Sequence, residues 1–520
     1  MKGQLISLQY EGKSKDILLS VRCEDGSRKV LHVINFEPYF YCDADAQIPQ
    51  SRYITKTEYG FKSLFGKDVV KITATDPLAV EKLRHSFQNF YEADIKFVRR
   101  FLIDTNIYNG LEWNGRETVY WRDLKPCDIS LPLTCVTLDI EVDNTGAESV
   151  EKMIENPIYP VIAITLHDTT TNKYVTIILD NKDSREWWAP DWLVIRVSQE
   201  IRLFELVKSY LERVQPDVLR NWNLYFDLDV LRGRSKRLGV DLSCIDLSAQ
   251  FDMLEGYRKI FKKASNYLKD VVIDEGITDE VVSAEFNIHL YRDEKQRDSF
   301  IKYSCDDVRF CVAIDTKHRL TGTYWQQKIF TGLEDFAPTF SNSVLVDVMA
   351  MRDAHEHNEI LPSSNYLPHN DEDDDESSFK GATVLEPPIG IGHDVAIYDM
   401  SKFYPSIVLA YGLSPEREDG KGILCRVVRK LMNLRLQADR ENQEVLEKFG
   451  PNSKEYFDSL DKRMSIKNVF NSTWGYIGYK KSRLYKKDVA ERIARYAREG
   501  LGFIQQVVVE YAKRGLTKVE

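Results

Sequence analysis

Residues 134–142 alternate strictly between apolar and polar side chains, and this segment constrains the fold most. The apolar residues at alternate positions are Val136, Leu138, Ile140 and Val142. The polar residues that alternate with them are Thr137, Asp139, Glu141 and Asp143. Because successive side chains of a strand point to opposite faces, the pattern predicts a β-strand with Asp139 and Glu141 on one face. Two neighbouring carboxylates repel each other unless a cation lies between them. The pair is therefore a candidate metal site, although D-x-E on a strand is often purely structural.

The composition is that of an ordinary soluble protein. The chain has 520 residues, of which 43% are hydrophobic and 29% charged, and we expect three or four domains at about 100–200 residues each. No run of about 18 apolar residues predicts a membrane span, and the N-terminus lacks the apolar core of a signal peptide. The eight cysteines never form C-x-x-C, so we expect a reducing, cytoplasmic setting without structural zinc or disulfides.

The pattern along the chain predicts a multidomain α/β and α+β fold. Residues 1–125 are rich in strand patterns, and a mixed α/β unit begins near residue 131. Helical periodicity continues to about residue 359, and an acidic run at 369–378 is typical of an exposed loop at a domain boundary. A short strand is predicted at 394–400, and residues 422–520 are mainly helical.

Charge is distributed unevenly. The net charge is −10, yet residues 421–520 carry 22 Lys and Arg against 12 Asp and Glu. A basic block favours a phosphate-rich partner such as nucleic acid. The alternative at this point is a solvated helix surface.

Acidic residues recur at two further places. Asp227 follows an aromatic residue in a segment that begins at Asn223, and Tyr303 and Asp307 lie four residues apart, on one face of a predicted helix. Mg²⁺ and Mn²⁺ prefer oxygen ligands, and two such ions can activate water for phosphodiester hydrolysis. Four carboxylates and a tyrosine fit that reaction, and their order is more specific than any single fragment.

These three segments resemble the exonuclease motifs of proofreading family B DNA polymerases. Residues 138–141, 223–231 and 303–307 correspond to the first, second and third motifs, and the spacer after Asn223 is one residue shorter than in many members. The resemblance implies that Asp139, Glu141, Asp227 and Asp307 bind metal and that Tyr303 orients the attacking water. Asp252 resembles a further family position near this site.

A second group of residues resembles polymerase motif A. Residues 394–408 form an apolar segment that runs into Asp399 and then turns through Tyr404 and Pro405. The resemblance implies that Asp399 is catalytic and binds metal, and that Tyr404 stacks under the incoming sugar and excludes a 2′-hydroxyl.

A basic helix face follows and resembles motif B. Arg463, Lys467, Asn471 and Trp474 form one stripe at helical spacing, and Arg435 lies on a preceding helix. Cations on two antiparallel helices would clamp a triphosphate, so we expect nucleotide binding by Tyr404, Arg435, Arg463, Lys467 and Asn471. The resemblance, together with basic residues that alternate with aromatic rings, implies that a further set of residues contacts DNA: Phe379, Lys380, Gly381, Trp474, Gly475, Lys480, Lys481 and Arg483.

The resemblance covers nearly the whole chain, most closely the archaeal branch, and implies a domain layout. A β-rich N-terminal domain (1–130) precedes an RNase H-like 3′–5′ exonuclease domain (131–315) and a helical connection (316–378). The palm (379–421), the fingers (422–475) and a palm continuation (476–520) follow.

The implied activity is DNA-directed DNA polymerisation with 3′–5′ proofreading in DNA replication. It requires two Mg²⁺ or Mn²⁺ ions per active site, deoxynucleoside triphosphates and primer–template DNA, without a membrane. A sliding clamp as partner and a viral or cellular host are left open. Two alternatives also stay open: a stand-alone 3′–5′ exonuclease with a vestigial polymerase region, and a non-catalytic scaffold derived from a polymerase.

One family feature is missing from the sequence. The second acid of the polymerase site belongs to a hairpin of the form Y-x-D-T-D-S after motif B, and residues 475–520 contain no aromatic-flanked D-x-D. Tyr41, Asp43 and Asp45 match the pattern but lie far ahead of motif A. We therefore expect an N-terminal large fragment of a split enzyme, which needs a C-terminal fragment supplying the hairpin and thumb.

Overall fold

A computed structural model describes residues 1–146, 149–155, 157–281, 287–364, 390 and 400–514. The chain divides into two compact units. The first comprises Met1–Phe36 and Ile107–Phe340, and the second comprises Glu37–Asn106 and Ser341–Glu520. Mixed α/β architecture confirms the predicted fold class, whereas the domain boundaries given above stay a prediction.

The first unit contains a six-stranded sheet built mainly from the N-terminus. Its spatial order is β10-β8-β1-β2-β3-β9. The strands are β1 (Lys2–Glu11), β2 (Asp16–Cys23), β3 (Arg28–Ile34), β8 (Gly110–Glu112), β9 (Thr118–Tyr120) and β10 (Lys125–Cys127). Buried apolar residues recur at every second position in β2 and β3, namely Ile17, Leu19, Val21, Leu31 and Val33. In β1 the buried apolar residues Leu5 and Ile6 are adjacent.

A seven-stranded mixed sheet forms the centre of the first unit, in the order β14-β15-β13-β12-β11-β16-β17. The strands are β11 (Cys135–Val142), β12 (Val161–Asp168), β13 (Lys173–Leu179), β14 (Ser184–Ala189), β15 (Trp192–Val197), β16 (Val218–Asn221) and β17 (Ala249–Asp252). Strand β11 runs antiparallel to β12 and parallel to β16. The carboxyl ends of β11 and β16 therefore meet at the same edge of the sheet.

Helices surround this sheet. They are α3 (Val150–Glu155), α4 (Glu200–Val214), α5 (Leu224–Leu238), α6 (Met253–Ile260), α7 (Leu268–Asp274), α8 (Asn287–Arg292), α9 (Arg297–His318) and α10 (Leu320–Thr331). Val136, Leu138 and Ile140 pack into an apolar cluster with residues of α4 and α5. The predicted apolar face of the strand is thereby confirmed, and the opposite face of β11 is left to the polar residues.

The second unit joins a small sheet to long helices. The sheet has the order β5-β6-β4-β7, with strands β4 (Tyr39–Asp43), β5 (Ile54–Lys62), β6 (Asp68–Ala74) and β7 (Phe90–Tyr91). The helices are α1 (Pro77–Arg84), α2 (Phe97–Asp104), α11 (Asn342–Glu356), α12 (Phe403–Tyr411), α13 (Ile423–Phe449), α14 (Lys454–Gly478) and α15 (Lys487–Lys513). Short 3₁₀ turns lie in the first unit at Trp121–Asp123, Ser243–Leu247 and Ala337–Phe340.

Helices α13 and α14 form the predicted antiparallel pair. Gly450 ends α13 with φ of 83°, a left-handed conformation that a side chain disfavours, so glycine suits the turn. Ser453 then caps α14 by accepting a hydrogen bond from the backbone N–H of Tyr456. Among the described residues, no helix is both long and apolar enough to cross a membrane.

Candidate active site

Three carboxylates converge at the edge of the seven-stranded sheet. Oxygen atoms of Asp139, Glu141 and Asp307 all lie within 4.8 Å of one another. Asp139 and Glu141 come from β11, opposite Thr165 and Ala163 of β12, and Asp307 comes from α9. A register shift between Glu141 and Val142 marks the end of regular pairing at this point. The structure thus brings together residues that lie more than 160 positions apart in the sequence.

Asn221, the last residue of β16, links Asp139 to Asp227. Its side-chain nitrogen donates a hydrogen bond of 2.7 Å to Asp139 Oδ1 and another of 2.7 Å to Asp227 Oδ2. Asp227 lies in the first turn of α5 and is 5% exposed. Asp227 is therefore linked to the cluster of three acids through the side-chain amide of Asn221, which also contacts Asp139.

The asparagine that contacts these two acids is Asn221, whereas the resemblance pointed to Asn223. Asn223 has φ of 66° and precedes α5 as its N-terminal flanking residue. Asparagine tolerates this left-handed conformation better than most residues. Asn223 lies four residues before Asp227, and Asn221 lies six residues before it.

Helix α9 is held against β12 by polar contacts that position Tyr303 and Asp307. Thr165, which pairs with Asp139, lies 2.9 Å from the Ser304 hydroxyl. Arg220 of β16 pairs with Asp315 near the end of α9 and donates to Thr137 at 3.0 Å. Tyr303 and Asp307 follow each other by one helical turn and share the side of α9 that faces the site.

Lys269, in the first turn of α7, is a site residue that sequence reasoning missed. Its ammonium group forms an ion pair with Asp307 and lies 4.3 Å from the centre of the Tyr303 ring. Burial lowers the pKa of Lys269, although Asp139 and Glu141 oppose that shift. No motif marks this lysine, since it is one of many in a basic segment.

The buried position of these carboxylates disfavours their charged forms. Burial raises the pKa of Asp139 to about 6, against the hydrogen bond from Asn221 and the charge of Lys269. Burial, followed by the charge of Asp139, raises the pKa of Asp227 well above its usual range. Burial also raises the pKa of Asp252, which caps α6 through the backbone of Glu255. A divalent cation would relieve the repulsion between these groups.

The donor set fits a hard divalent ion. All candidate ligand atoms are carboxylate oxygens, as Mg²⁺ and Mn²⁺ prefer. Asp139, Glu141 and Asp307 would hold such an ion, and Asp227 could join through a second ion. Lys269 and Asn221 supply hydrogen-bonding and charge support from outside that ligand set.

The second predicted site is described in part. Asp399, Phe379, Lys380 and Gly381 lie outside the described residues. Lys402, with φ of 60°, precedes α12, so Tyr404 and Pro405 begin a helix instead of the predicted turn. The Tyr404 ring stacks on Trp474 of α14, with ring centroids 4.8 Å apart and an interplanar angle of 25°.

The predicted basic stripe lies on one continuous helix, α14. Arg435 and Arg463 share Asp439, at 3.1 Å and 2.8 Å, and Arg435 also donates to the Arg463 carbonyl at 2.6 Å. Lys467 is exposed and forms no ion pair within the part of the chain that the structure describes. Exposed Asn471 follows one turn later, so these two side chains are open to a ligand.

Among the predicted DNA contacts, Arg483 is placed differently from the other basic residues. Lys480 and Lys481 are exposed, as is Gly475. Arg483 is 4% exposed and pairs with Asp94 at 2.8 Å and Asp347 at 2.9 Å. Its two carboxylate partners hold it in the interior of the second unit. The guanidinium of Arg483 is therefore neutralised and shielded, unlike the ammonium groups of Lys480 and Lys481, and its contact with a template backbone stays a prediction.

Comparisons with known proteins agree with this architecture. The sequence model described as DNA polymerase family B matches residues 339–420 and 416–519. DNA polymerase 2 of Aeropyrum pernix is 24% identical over 95% of this chain and 68% of its own length. The DNA polymerase of Archaeoglobus fulgidus is 25% identical over 96% of this chain and 67% of its own length.

A solved structure shares the fold. The family B DNA polymerase from Pyrobaculum calidifontis superposes with a TM-score of 0.78 at 23% identity, over 99% of this chain and 72% of the other. The chain is similar in sequence to archaeal DNA polymerases, and residues 339–519 match the model of DNA polymerase family B. It spans about two thirds of the length of these relatives.

Proposed function

We propose that the first unit is a metal-dependent 3′–5′ exonuclease that removes nucleotides from the 3′ end of DNA. The observation that supports this most is the meeting of Asp139, Glu141 and Asp307 within 4.8 Å, next to buried Asp227. Mg²⁺ or Mn²⁺ bound there would activate water and stabilise the leaving oxygen. Asn221 holds Asp139 and Asp227 in place, and Tyr303 lies one turn from Asp307 to position the attacking water.

The test is digestion of 3′-labelled single-stranded DNA by the purified chain with Mg²⁺ or Mn²⁺. Asp139→Ala combined with Glu141→Ala should abolish digestion, because two of the three converging carboxylates are lost. Asp143→Asn is the matched control, since this acid directly follows β11 but pairs with Arg292 at 3.1 Å. Full activity in the double variant would reject the assignment.

We also propose that the second unit contributes metal, nucleotide and DNA contacts to DNA-directed DNA polymerisation in replication. Asp399 would bind the catalytic metals, Tyr404 would contact the sugar, and Lys467, Asn471, Arg435 and Arg463 would bind the triphosphate. The stacking of Tyr404 on Trp474 supports this, because it joins the two motif segments at one place. Lys480 and Lys481, together with Trp474 and Gly475, would contact primer–template DNA.

Polymerisation in this proposal needs an acid pair that residues 475–520 do not contain. A single aspartate poorly compensates two divalent ions, so the 520-residue chain alone should extend a primer negligibly. Addition of a polypeptide carrying a Y-x-D-T-D-S hairpin and thumb should restore extension. Robust extension by the 520-residue chain alone would refute the need for a partner fragment.

A further inference from the structure

A cleft in the first unit is lined by cations and rings. Its volume is about 550 Å³, and its wall combines Arg258, Lys259, Lys262 and Lys263 with Phe261 and Phe340. Arg258 and Lys259 lie in the last turn of α6, and Phe261, Lys262 and Lys263 lie between α6 and α7, in the segment that leads to Lys269. We name this feature the 258–263 cleft.

The charge of the cleft is only partly neutralised. Arg258 pairs with Glu255 at 2.6 Å, and Lys263 pairs with Glu275 at 3.2 Å. Lys259 and Lys262 are exposed and form no ion pair with any residue in the described ranges. Two ammonium groups are therefore open to an anionic ligand, beside two rings that a purely solvated surface does not require.

The cleft is tied to the carboxylate site by short connections. The Trp222 indole N–H donates to the Asn266 carbonyl at 3.0 Å, and Trp222 directly follows Asn221. Tyr257 lies between Trp222 and Phe261, with ring centroids 5.3 Å and 4.7 Å away. Asn266, which lines the cleft, is three residues from Lys269, a span of at most about 10 Å.

An exposed ring lies between the cleft residues and Lys269 in the sequence. Tyr267, at the N-terminal boundary of α7, is 79% exposed. Its ring therefore buries little apolar surface within the chain. Alternation of cations with accessible rings is typical of surfaces that bind single-stranded nucleic acid, where bases stack and phosphates pair with cations. Lys262, Tyr267 and Lys269, which pairs with Asp307, follow one another in this order along the chain.

We propose that the 258–263 cleft binds the backbone of single-stranded DNA on the 5′ side of the nucleotide being removed. Lys259 and Lys262 contact consecutive phosphates, and Tyr267 stacks on a base as the 3′ end reaches Asp139, Glu141 and Asp307. This inference rests on the proposed exonuclease function. It adds a substrate-positioning surface, which holds the strand without taking part in bond cleavage.

The experiment compares the wild-type chain with Lys259→Ala/Lys262→Ala and with Tyr267→Ala. Binding of a fluorescent 16-residue oligothymidylate is followed by anisotropy in EDTA at several salt concentrations. Digestion of the same oligomer and of the dinucleotide TpT is measured with Mg²⁺. The matched control is Lys236→Ala/Arg237→Ala, which removes the same charge from an exposed site at the end of α5.

We expect the double lysine variant to bind the oligomer several-fold more weakly. The slope of log K against log salt should shrink by about 1.4, the value for two single-strand phosphate contacts. Its KM for the oligomer should rise, whereas its rate on TpT, which is too short to reach the cleft, should stay at the wild-type value. Tyr267→Ala should weaken binding without altering the salt slope.

The outcomes separate the two proposals. If the chain digests DNA and the double lysine variant has the same salt slope and oligomer KM as the control variant, the cleft assignment is overturned. An equal loss of affinity for blunt duplex DNA overturns the single-strand assignment. If the wild-type chain digests nothing, yet the lysine variant loses oligomer affinity and salt slope as expected, the cleft stands and the exonuclease proposal fails.

Discussion

Asn221 donates its side-chain N–H to Asp139 over 2.7 Å, and the same nitrogen donates to Asp227 at the same distance. One amide therefore orients two acids from different elements, one on β11 and one on α5. The thiol of Cys311 lies 3.4 Å from the amide oxygen and completes its surroundings from α9. The candidate site depends on this amide although it carries no charge.

Asn221→Ala should lower nuclease kcat/KM by about 10- to 100-fold, the usual cost of removing a group that orients a metal ligand. The measurement is digestion of single-stranded DNA at fixed Mg²⁺, followed by Mg²⁺ titration. Asn223→Gly is the matched control, because glycine accommodates the φ of 66° and the side chain has no hydrogen bond to these acids. Equal losses in both variants would show that the loop conformation matters rather than the amide of Asn221.

Lys269→Ala should reduce kcat of the nuclease by about 100-fold, since a cation beside the reacting phosphodiester stabilises developing charge. The lysine contacts both Asp307 and the Tyr303 ring, so its loss also releases two predicted site residues. Lys302→Ala is the control, because Lys302 is exposed on α9 directly before Tyr303. Single-turnover digestion distinguishes a slower chemical step from weaker binding. An unchanged kcat in Lys269→Ala would show that Lys269 does not contribute to the nuclease reaction.

Lys467→Ala should raise the KM for deoxynucleoside triphosphates in primer extension by 10-fold or more, which is about 1.4 kcal/mol of a charge-assisted contact. The assay requires the 520-residue chain together with the fragment that restores extension. Lys448→Ala, on α13 near the turn at Gly450, serves as a control at a comparable exposed position. The same nucleotide dependence in both variants would contradict a triphosphate contact.

Asp94→Asn should destabilise the second unit by about 3 kcal/mol, because it leaves the buried guanidinium of Arg483 with Asp347 alone. Chemical denaturation at pH 7, followed by tryptophan fluorescence, measures the change. Asp68→Asn removes the exposed pair with Lys62 and should cost at most about 1 kcal/mol. A comparable loss in both variants would argue against the importance of burial.

The same carboxylate predicts a pH dependence. Arg483 and Ser364 hold the pKa of Asp94 at about 2, below its ordinary value of 3.8, against the effect of burial. Because the folded pKa is depressed, the stabilisation is present above pH 4 and is lost as pH falls from about 4 to 2. It amounts to about 2 kcal/mol. Unfolding curves of the wild type and of Asp94→Asn should therefore converge over this interval, and parallel curves would contradict the assignment.

Local patterns in the sequence were sufficient to predict several elements and the faces on which their site residues lie. Period-two alternation placed Asp139 and Glu141 on one face of β11, and the four-residue spacing placed Tyr303 and Asp307 on one side of α9. Such patterns are readable because a strand or helix buries one face whatever its partner is. The order of the acidic segments, through the family resemblance, also predicted that they would meet.

Only the tertiary structure decided which side chains surround those acids. The choice of Asn221 over Asn223 depends on where β16 ends, and Lys269 reaches Asp307 because α7 packs beside α9. Arg483 is buried and forms an ion pair with Asp94, a residue 389 positions away. Its position in a basic, aromatic segment of the sequence did not reveal this environment. Sequence periodicity reports which face of an element is apolar. The partner of a charged side chain is set instead by packing between distant segments, where burial makes an unpaired charge costly.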